Sequence, residues 1–427
     1  MPGLVECWGR GSVKSATLAL FWLGLVVALC PAFAQERPAK KLIEYGWGVP
    51  DPSFVRQNIG QMEQRPFDGI IFRLKGFNHA FDISPWDEAA LQPQLGDLAA
   101  IDWHTFTDNF LCLYAANDAG MDWFNDQHWE VIAANLRLEA KAAKAGGCVG
   151  ICFDPEPYGA TPWRYPGAYA SRSFSEVESQ VRRRGAQFIS ALQEELPDLR
   201  LLTFFQLSKF RGLVDVRNPA WRSRQLARRS YSLLPAFLNG MLDAAASGVR
   251  IIDGNEKAYY YTNARDYARG YNLIKQRALS LIADENRPKY AAQVQAGAAV
   301  YMDQLLATRP PAGKFLSYYL APEERLRFLE HDTYYALASS DEYAWCYSER
   351  MNWWKNEMPE GAEAAIRSAR AKVAAGEPFG FDIGKSISAA TDKLIAAKLK
   401  KPVIAAAAAA ALVLLLAMIK AARRKRR

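Results

Sequence analysis

The stretch Cys148-Val-Gly-Ile-Cys-Phe-Asp-Pro-Glu-Pro-Tyr158 gives the strongest indication of the fold. Two glycines, Gly146 and Gly147, end a preceding helix, and a mostly apolar run then predicts a buried strand that ends in Asp154-Pro155-Glu156. Side chains alternate along a strand, so Asp154 and Glu156 point to the same side. Two acids at the carboxyl end of a buried parallel strand suit acid–base catalysis in a barrel, whereas the alternative is an acidic turn that caps a loop.

Buried strands alternate with amphipathic helices from residue 42 to residue 375. The other strand candidates are Leu42–Gly48, Phe67–Leu74, Phe110–Tyr114, Leu199–Gln206, Val249–Asp253, the weaker Ala291–Val300, and Glu342–Tyr347. A long loop is expected over 75–105, and the helix over 173–196 opens with the capping-box pattern Ser173 and Glu176. Eight strand–helix units in one series predict an α/β fold of the (β/α)8 TIM-barrel type, with a doubly wound open sheet as the alternative.

Both ends of the chain carry apolar segments. Arg10 and Lys14 precede an apolar run and the small residues around Ala34, which predicts a signal peptide over 1–34. Residues 402–419 form an apolar run followed by a basic tail, 420–427, which predicts a transmembrane helix with a cytoplasmic C-terminus. The barrel domain, 35–380, would then be extracytoplasmic and joined to the membrane by a juxtamembrane segment, 381–401. An alanine-rich surface helix is the alternative for 402–419.

The formal net charge of +8 has a local origin. Residues 398–427 contain nine Lys and Arg and no acid, so the remainder of the chain is close to neutral. The basic balance therefore predicts a membrane anchor, and we expect no nucleic-acid partner.

Metal and cofactor chemistry have little support in the composition. The chain has only four histidines, and no nucleotide or phosphate-binding fingerprint is present. We therefore expect neither a metal site nor a cofactor. Four cysteines, Cys112, Cys148, Cys152 and Cys346, lie in apolar runs after the predicted signal peptide, either as packed core thiols or with one disulfide among them.

The predicted strand ends gather carboxylates, amides and aromatic rings. Glu156 is our choice of general acid, Asp154 would orient it, and the second carboxylate would be Glu349 or Glu256. For Glu349 the alternative is a salt bridge with Arg73 or Arg350. The predicted substrate-binding residues are Tyr45, Trp47, Arg73, Tyr158, Gln206, Asp253, Glu256, Tyr301, Tyr347 and Trp353.

Phe153-Asp154-Pro155-Glu156 resembles the end of the chitinase and endo-N-acetylglucosaminidase signature, within the (β/α)8 glycoside hydrolases. The resemblance implies that Glu156 protonates the leaving oxygen and that Asp154 steadies an N-acetyl group acting as internal nucleophile. It also implies a tryptophan floor from Trp345 or Trp353. The chain departs from the signature upstream, where Val149 and Cys152 stand in place of further aspartates.

These patterns together predict a membrane-anchored, extracytoplasmic glycoside hydrolase that acts on a polysaccharide or glycan through carboxylates. Two alternatives remain open at this point, a carbohydrate-binding barrel without catalysis and a structural protein of the cell envelope.

Overall fold

A computed structural model describes residues 39–115, 120–309 and 314–399. Its sheet has nine strand segments, all paired in parallel, in the order β7-β6-β5-β4-β3-β2-β1-β9-β8. The segments are β1 Lys41–Gly46, β2 Gly69–Phe72, β3 Phe110–Tyr114, β4 Gly150–Asp154, β5 Arg200–Thr203, β6 Arg250–Asp253, β7 Val294–Ala296, β8 Ala298–Tyr301 and β9 Tyr343–Ser348. Most strand residues are buried, as expected for parallel strands covered on both faces.

The ring closes within a single short stretch of chain. Segments β7 and β8 are separated only by Gly297, and β7 pairs with β6 while β8 pairs with β9. A Cβ at Gly297 would lie 3.0 Å from the Tyr343 carbonyl oxygen, so a side chain would crowd the junction. The predicted parallel α/β barrel is therefore confirmed, and its seventh strand is split in two.

Helices surround the strands. They are α1 Pro52–Met62, α2 Glu88–Ala99, α3 Asp126–Ala145, α4 Phe174–Gln193, α5 Pro219–Leu226, α6 Leu234–Ala244, α7 Ala264–Lys275, α8 Arg287–Gln293, α9 Met302–Leu305, α10 Pro322–Ser339 and α11 Ala362–Ala375, followed by a helix over 384–399. The capping box at the start of α4 is present as predicted, with Ser173 accepting from the Glu176 amide.

One expectation about the connections is wrong. The segment 75–105 contains helix α2 and is not a continuous loop. Asp87 caps this helix and Leu91 and Leu98 bury one face of it, but Pro93 lies inside it. An internal proline removes a helical hydrogen bond and usually indicates that a helix ends. Pro93 therefore leads to the prediction of a loop where the structure has a helix.

The predicted terminal segments lie largely outside the described residues. These are the signal peptide over 1–34, the transmembrane helix over 402–419 and the tail over 420–427. None of the helices within the described ranges combines the length and apolarity that crossing a bilayer requires. In the predicted juxtamembrane segment, the helix over 384–399 buries Ile387 and Ala390.

Candidate active site

A cavity of about 590 Å³ opens where the strands end. Its walls come from residues at or after the carboxyl ends of β1, β4, β5, β6, β8 and β9, so it lies at the carboxyl face, where barrel enzymes place their chemistry. A second hollow of about 420 Å³ shares Tyr45, Trp47 and Tyr158 with the cavity and adds Arg73, His79 and Tyr114. The two spaces form one cleft across the face of the barrel.

Asp154 and Glu156 follow the fourth strand and occupy different environments. Asp154 is fully buried and accepts hydrogen bonds from the Glu156 amide (2.8 Å) and from the Tyr158 hydroxyl (2.9 Å). Burial raises the pKa of Asp154 to about 8, and the nearby Glu156 and Glu256 charges add to the increase. Glu156 itself is half-buried, lines the cavity, and lies 3.2 Å from the same Tyr158 hydroxyl through Oε2.

The loop that carries Glu156 is held from below. The carbonyl oxygen of Pro155 accepts a hydrogen bond of 2.7 Å from the indole of Trp163, which is fully buried. Pro155 also has a restricted backbone, so the connection between Asp154 and Glu156 has little freedom. The sequence thus places a carboxylate that lines the cavity on a rigid support.

Glu256 reaches the cavity from the loop after the sixth strand. It begins a short 3-10 helix, Glu256–Tyr260, whose preceding residue, Asn255, adopts a left-handed conformation with φ of 45°. Burial raises the pKa of Glu256, and the neighbouring charge of Glu156 adds to the increase, while Lys209 and Lys257 oppose it. Glu156 and Glu256 are therefore close enough to interact electrostatically.

Asp253 organises the loops on which this part of the site depends. Its carboxylate accepts from the Ser208 amide (2.8 Å), the Ser208 hydroxyl (2.6 Å) and the Asn255 amide (3.2 Å). The buried carboxylate thereby joins the loop after the fifth strand to the loop after the sixth. Asp253 positions Glu256 without reaching the cavity itself.

Glu349, after the ninth strand segment, is already paired. Arg309 lies 2.9 Å from its carboxylate, and the Tyr301 hydroxyl also donates to it. Buried Asp303 fixes the same loop by accepting a 2.6 Å hydrogen bond from the Glu349 amide. The salt bridge foreseen as the alternative for Glu349 does form, but its partner is Arg309 and not Arg73 or Arg350.

The floor of the cavity is aromatic. Phe204 stacks on Trp345 with ring centroids 4.2 Å apart, and Tyr45 packs on Phe204 at 4.6 Å. The Trp345 indole is buried and donates to the Gly254 carbonyl oxygen at 2.8 Å. Trp345 thus supports the floor from beneath, through Phe204, and does not line the cavity.

The rim of the cavity exposes aromatic rings to solvent. Trp47, Tyr158 and Tyr260 are 64%, 55% and 52% exposed. Because these rings are not packed into the core, their flat apolar faces are accessible to a ligand.

Most of the predicted site residues meet in this cleft. Glu156, Glu256, Glu349, Tyr45, Trp47, Tyr158, Tyr301 and Tyr347 line the cavity, and Arg73 lines the adjoining hollow. Four do not line it: Asp154 lies directly behind it, and Gln206, Asp253 and Trp353 are also buried. Trp353 packs edge-on against Phe67 and donates to the Ser348 hydroxyl.

Several residues that line the cavity are not predicted from the sequence. Lys209, Arg211 and Lys257 lie in or beside short 3-10 helices after the fifth and sixth strands, and Arg309 follows helix α9. No apolar periodicity marks these positions, because the turns that present them depend on Asp253 and Asp303. Within the described ranges, no group of three or more His, Cys, Asp or Glu side chains is arranged to hold a metal, and the four described cysteines are buried and free.

Comparison with known proteins reveals likeness in fold only. No protein-family model and no curated protein sequence matches the chain. Similar solved structures include an exo-β-1,4-mannosidase, Op5Man5 from Opitutaceae bacterium strain TAV5 (12% identity, TM-score 0.42, 78% of this chain and 60% of that one). A GH18 chitinase from Pseudoalteromonas aurantia (10%, 0.34, 74% and 98%) and XacCel5A in complex with cellopentaose (12%, 0.37, 78% and 99%) are also similar.

The solved structures that the chain resembles include glycoside hydrolases. They do not test the Asp-x-Glu motif. The chain matches less than two thirds of the length of the mannosidase. The roles of the residues in this cleft rest on the geometry described above.

Proposed function

We propose that the protein is a glycoside hydrolase in which Glu156 is the general acid and Glu256 is the second carboxylate. The observation that carries the proposal is the meeting of these two glutamates in one aromatic cleft at the carboxyl face of the barrel. Glycoside cleavage needs a proton donor on the leaving oxygen and a carboxylate that acts as a nucleophile or activates water.

Glu156 suits the role of proton donor because its backbone is fixed while its side chain forms no ion pair within the described ranges. No Lys or Arg among the described residues forms an ion pair with it, and its side chain contacts only the Tyr158 hydroxyl through a hydrogen bond. Asp154, with its raised pKa, can hold a proton next to this network at neutral pH. The Tyr158 hydroxyl donates to the carboxyl groups of both Asp154 and Glu156, so a change in the charge of one carboxyl group alters the hydrogen bond to the other.

Glu256 suits the second role better than Glu349 does. Glu349 is held by Arg309 and Tyr301, so its charge and its hydrogen-bonding capacity are already engaged by the protein. Glu256 forms no side-chain hydrogen bond or ion pair with the described residues, faces the cavity and interacts with Glu156. Lys209 and Lys257 lie near enough to stabilise its charged form.

The exposed rings would supply binding. Sugar rings have apolar faces that pack on Trp and Tyr, and Trp47, Tyr158 and Tyr260 present such surfaces at the rim. Polar groups in the cavity would then contact the hydroxyl groups of the sugar.

We further propose that this activity is displayed outside the cytoplasm on a membrane anchor. The support is the sequence alone, namely the signal-peptide pattern over 1–34 and the apolar run over 402–419 with its basic tail. Fractionation of cells with protease digestion of intact spheroplasts tests this: degradation of the barrel with protection of the tail is expected. Recovery of the protein in the soluble cytosol would contradict it.

The hydrolase assignment is tested with the purified full-length chain on a broad oligosaccharide panel, with product release measured by chromatography. The wild type should cleave at least one member of the panel, and Glu156→Gln should not. The control is Glu130→Gln, which changes an exposed acid on the outer helix α3 and should cleave like the wild type. Binding without cleavage of any member would instead indicate a carbohydrate-binding barrel. Full activity in Glu156→Gln would refute the proposed role of Glu156.

A further inference from the structure

One wall of the cavity is cationic. Lys209 belongs to the 3-10 helix Leu207–Phe210 after the fifth strand, and Arg211 follows it directly. Lys257 belongs to the 3-10 helix after the sixth strand, which is the neighbour of the fifth in the sheet. All three side chains line the same cavity and are exposed to it.

Among the described residues, none of these three cations forms an ion pair, although the charge of Glu256 lies near Lys209 and Lys257. Within the described residues, neither Lys209 nor Arg211 nor Lys257 forms a salt bridge or donates a side-chain hydrogen bond. Arg309, across the cavity, differs because Glu349 neutralises it at 2.9 Å. Three cations left unpaired on one wall of a concave site can concentrate positive potential there.

The ammonium groups are nevertheless held in place. Lys209 Nζ lies 3.9 Å from the centre of the Phe205 ring and 4.5 Å from that of Tyr231, and Lys257 Nζ lies 4.6 Å from the centre of the Tyr260 ring. Such cation–π contacts orient a charge without cancelling it. The wall therefore offers positioned donors to an incoming anion.

The carboxylates of the cavity do not offset this wall completely. The cavity is lined by four cations, Lys209, Arg211, Lys257 and Arg309, and by three glutamates. One of the glutamates, Glu349, forms an ion pair with Arg309. Glu256 lies near Lys209 and Lys257, which lower its pKa against the larger increase caused by burial. Because four cations face three glutamates, a neutral oligosaccharide would leave part of the wall, including Arg211, without a counter-charge.

We propose that the cleft selects acidic glycans, with a carboxylate or sulfate group of the sugar bound by Lys209, Arg211 and Lys257. The inference rests on the proposed function and deepens it by naming the substrate class. Guanidinium and ammonium groups recognise both anions, Arg by two parallel hydrogen bonds and Lys as a point charge. The same sugar would stack on the rim rings while its anionic substituent faces the wall.

The test measures binding by calorimetry in the full-length chain carrying Glu156→Gln, which prevents turnover. The probes are an oligogalacturonate, its carboxyl-reduced neutral counterpart, and a sulfated galacto-oligosaccharide of equal length. The variant is the triple substitution Lys209→Gln, Arg211→Gln and Lys257→Gln. The control is Lys141→Gln, an exposed lysine on the outer helix α3.

We expect at least one acidic probe to bind about tenfold or more tightly than the neutral one. The triple variant should lose that preference, whereas Lys141→Gln should keep it, and raising the salt concentration should reduce it. The stronger acidic probe identifies the anion as carboxylate or sulfate. Equal binding of acidic and neutral probes, absence of binding to any probe, or an equal preference for a DNA oligonucleotide of the same charge would overturn the inference.

Hydrolysis by the wild type is scored separately. Acid-selective binding without cleavage would reject the hydrolase and leave the ligand class standing. Cleavage of neutral and acidic substrates at equal rates, with no effect of the triple substitution, would keep the hydrolase and reject the acidic preference.

Discussion

Asp154 accepts a 2.8 Å hydrogen bond from the backbone amide of Glu156, so a buried carboxyl group fixes the position of a cavity carboxyl group. Two other glutamates of the cavity lie on loops fixed in the same way. Asp253 accepts from the amide that precedes Glu256, and Asp303 accepts from the amide of Glu349. Each cavity glutamate therefore lies on a loop anchored by a buried aspartate, and in Glu156 and Glu256 this leaves the side chain without an ion pair to the described residues.

The pH dependence of stability should reveal Asp154. Its pKa is about 8 in the folded protein because of burial, whereas an unfolded aspartate titrates near 3.9. Between these pH values the folded chain holds a proton that the unfolded chain has released. The contribution of Asp154 to the free energy of unfolding is therefore fully present below about pH 4 and decreases as the pH rises toward 8.

Urea unfolding of wild type and Asp154→Asn between pH 4.5 and pH 8 measures this contribution. Asparagine can keep the acceptor for the Glu156 amide but does not titrate, so the decrease in the free energy of unfolding should be shallower in the variant. Parallel curves for the two proteins would contradict the assigned titration.

The Tyr158 hydroxyl should affect turnover more than binding. Tyr158→Phe retains the exposed ring but removes the hydrogen bonds to Asp154 and Glu156. We expect kcat to fall about tenfold with KM nearly unchanged, as for the loss of a hydrogen bond to a charged group. An increase in KM at constant kcat would mean that Tyr158 serves only as a binding surface.

The two candidates for the second carboxylate are distinguished by single substitutions. Glu256→Gln should lower kcat/KM about a thousandfold if it acts as base or nucleophile. Glu349→Gln should have a much smaller effect on kcat, since this side chain already pairs with Arg309. Steady-state kinetics on the substrate found in the panel decides between them, and a larger loss in Glu349→Gln would reverse the assignment.

Trp47 should contribute to binding and not to stability. Because its ring is 64% exposed, Trp47→Ala is expected to leave the thermal transition unchanged and to raise KM about 3- to 10-fold. Trp221, which is 48% exposed on helix α5 and does not line the cavity, is the matched control. An unchanged KM in Trp47→Ala, or an equal increase in Trp221→Ala, would argue against a stacking site at the rim.

The sequence predicts the barrel well because buried strands and capped helices leave local signals. The strand predicted over 110–114 is recovered with its observed bounds, because its apolar run is a local signal. Helix α2 is missed because Pro93 interrupts its pattern. The split at Gly297 depends on two neighbouring strands that are distant in sequence, so it has no local signal.

The site is predictable to the extent that it follows strand ends. Glu156, Tyr158 and Glu256 come directly after strands and meet in the cleft. The partner of Glu349 is different, because Arg309 lies 40 positions away in sequence and reaches the site from another loop. Lys209 and Lys257 reach the wall through turns fixed by buried Asp253, a tertiary contact that the sequence alone does not display.

Leaving-group dependence tests the role of Glu156 most directly. The measurement compares Glu156→Ala with wild type on the oligosaccharide that the panel identifies and on a dinitrophenyl glycoside of the same sugar, whose departure needs no proton. If Glu156 is the general acid, the variant should lose about a thousandfold on the oligosaccharide and far less on the dinitrophenyl glycoside. Equal losses on both substrates, or no loss on either, would contradict that role.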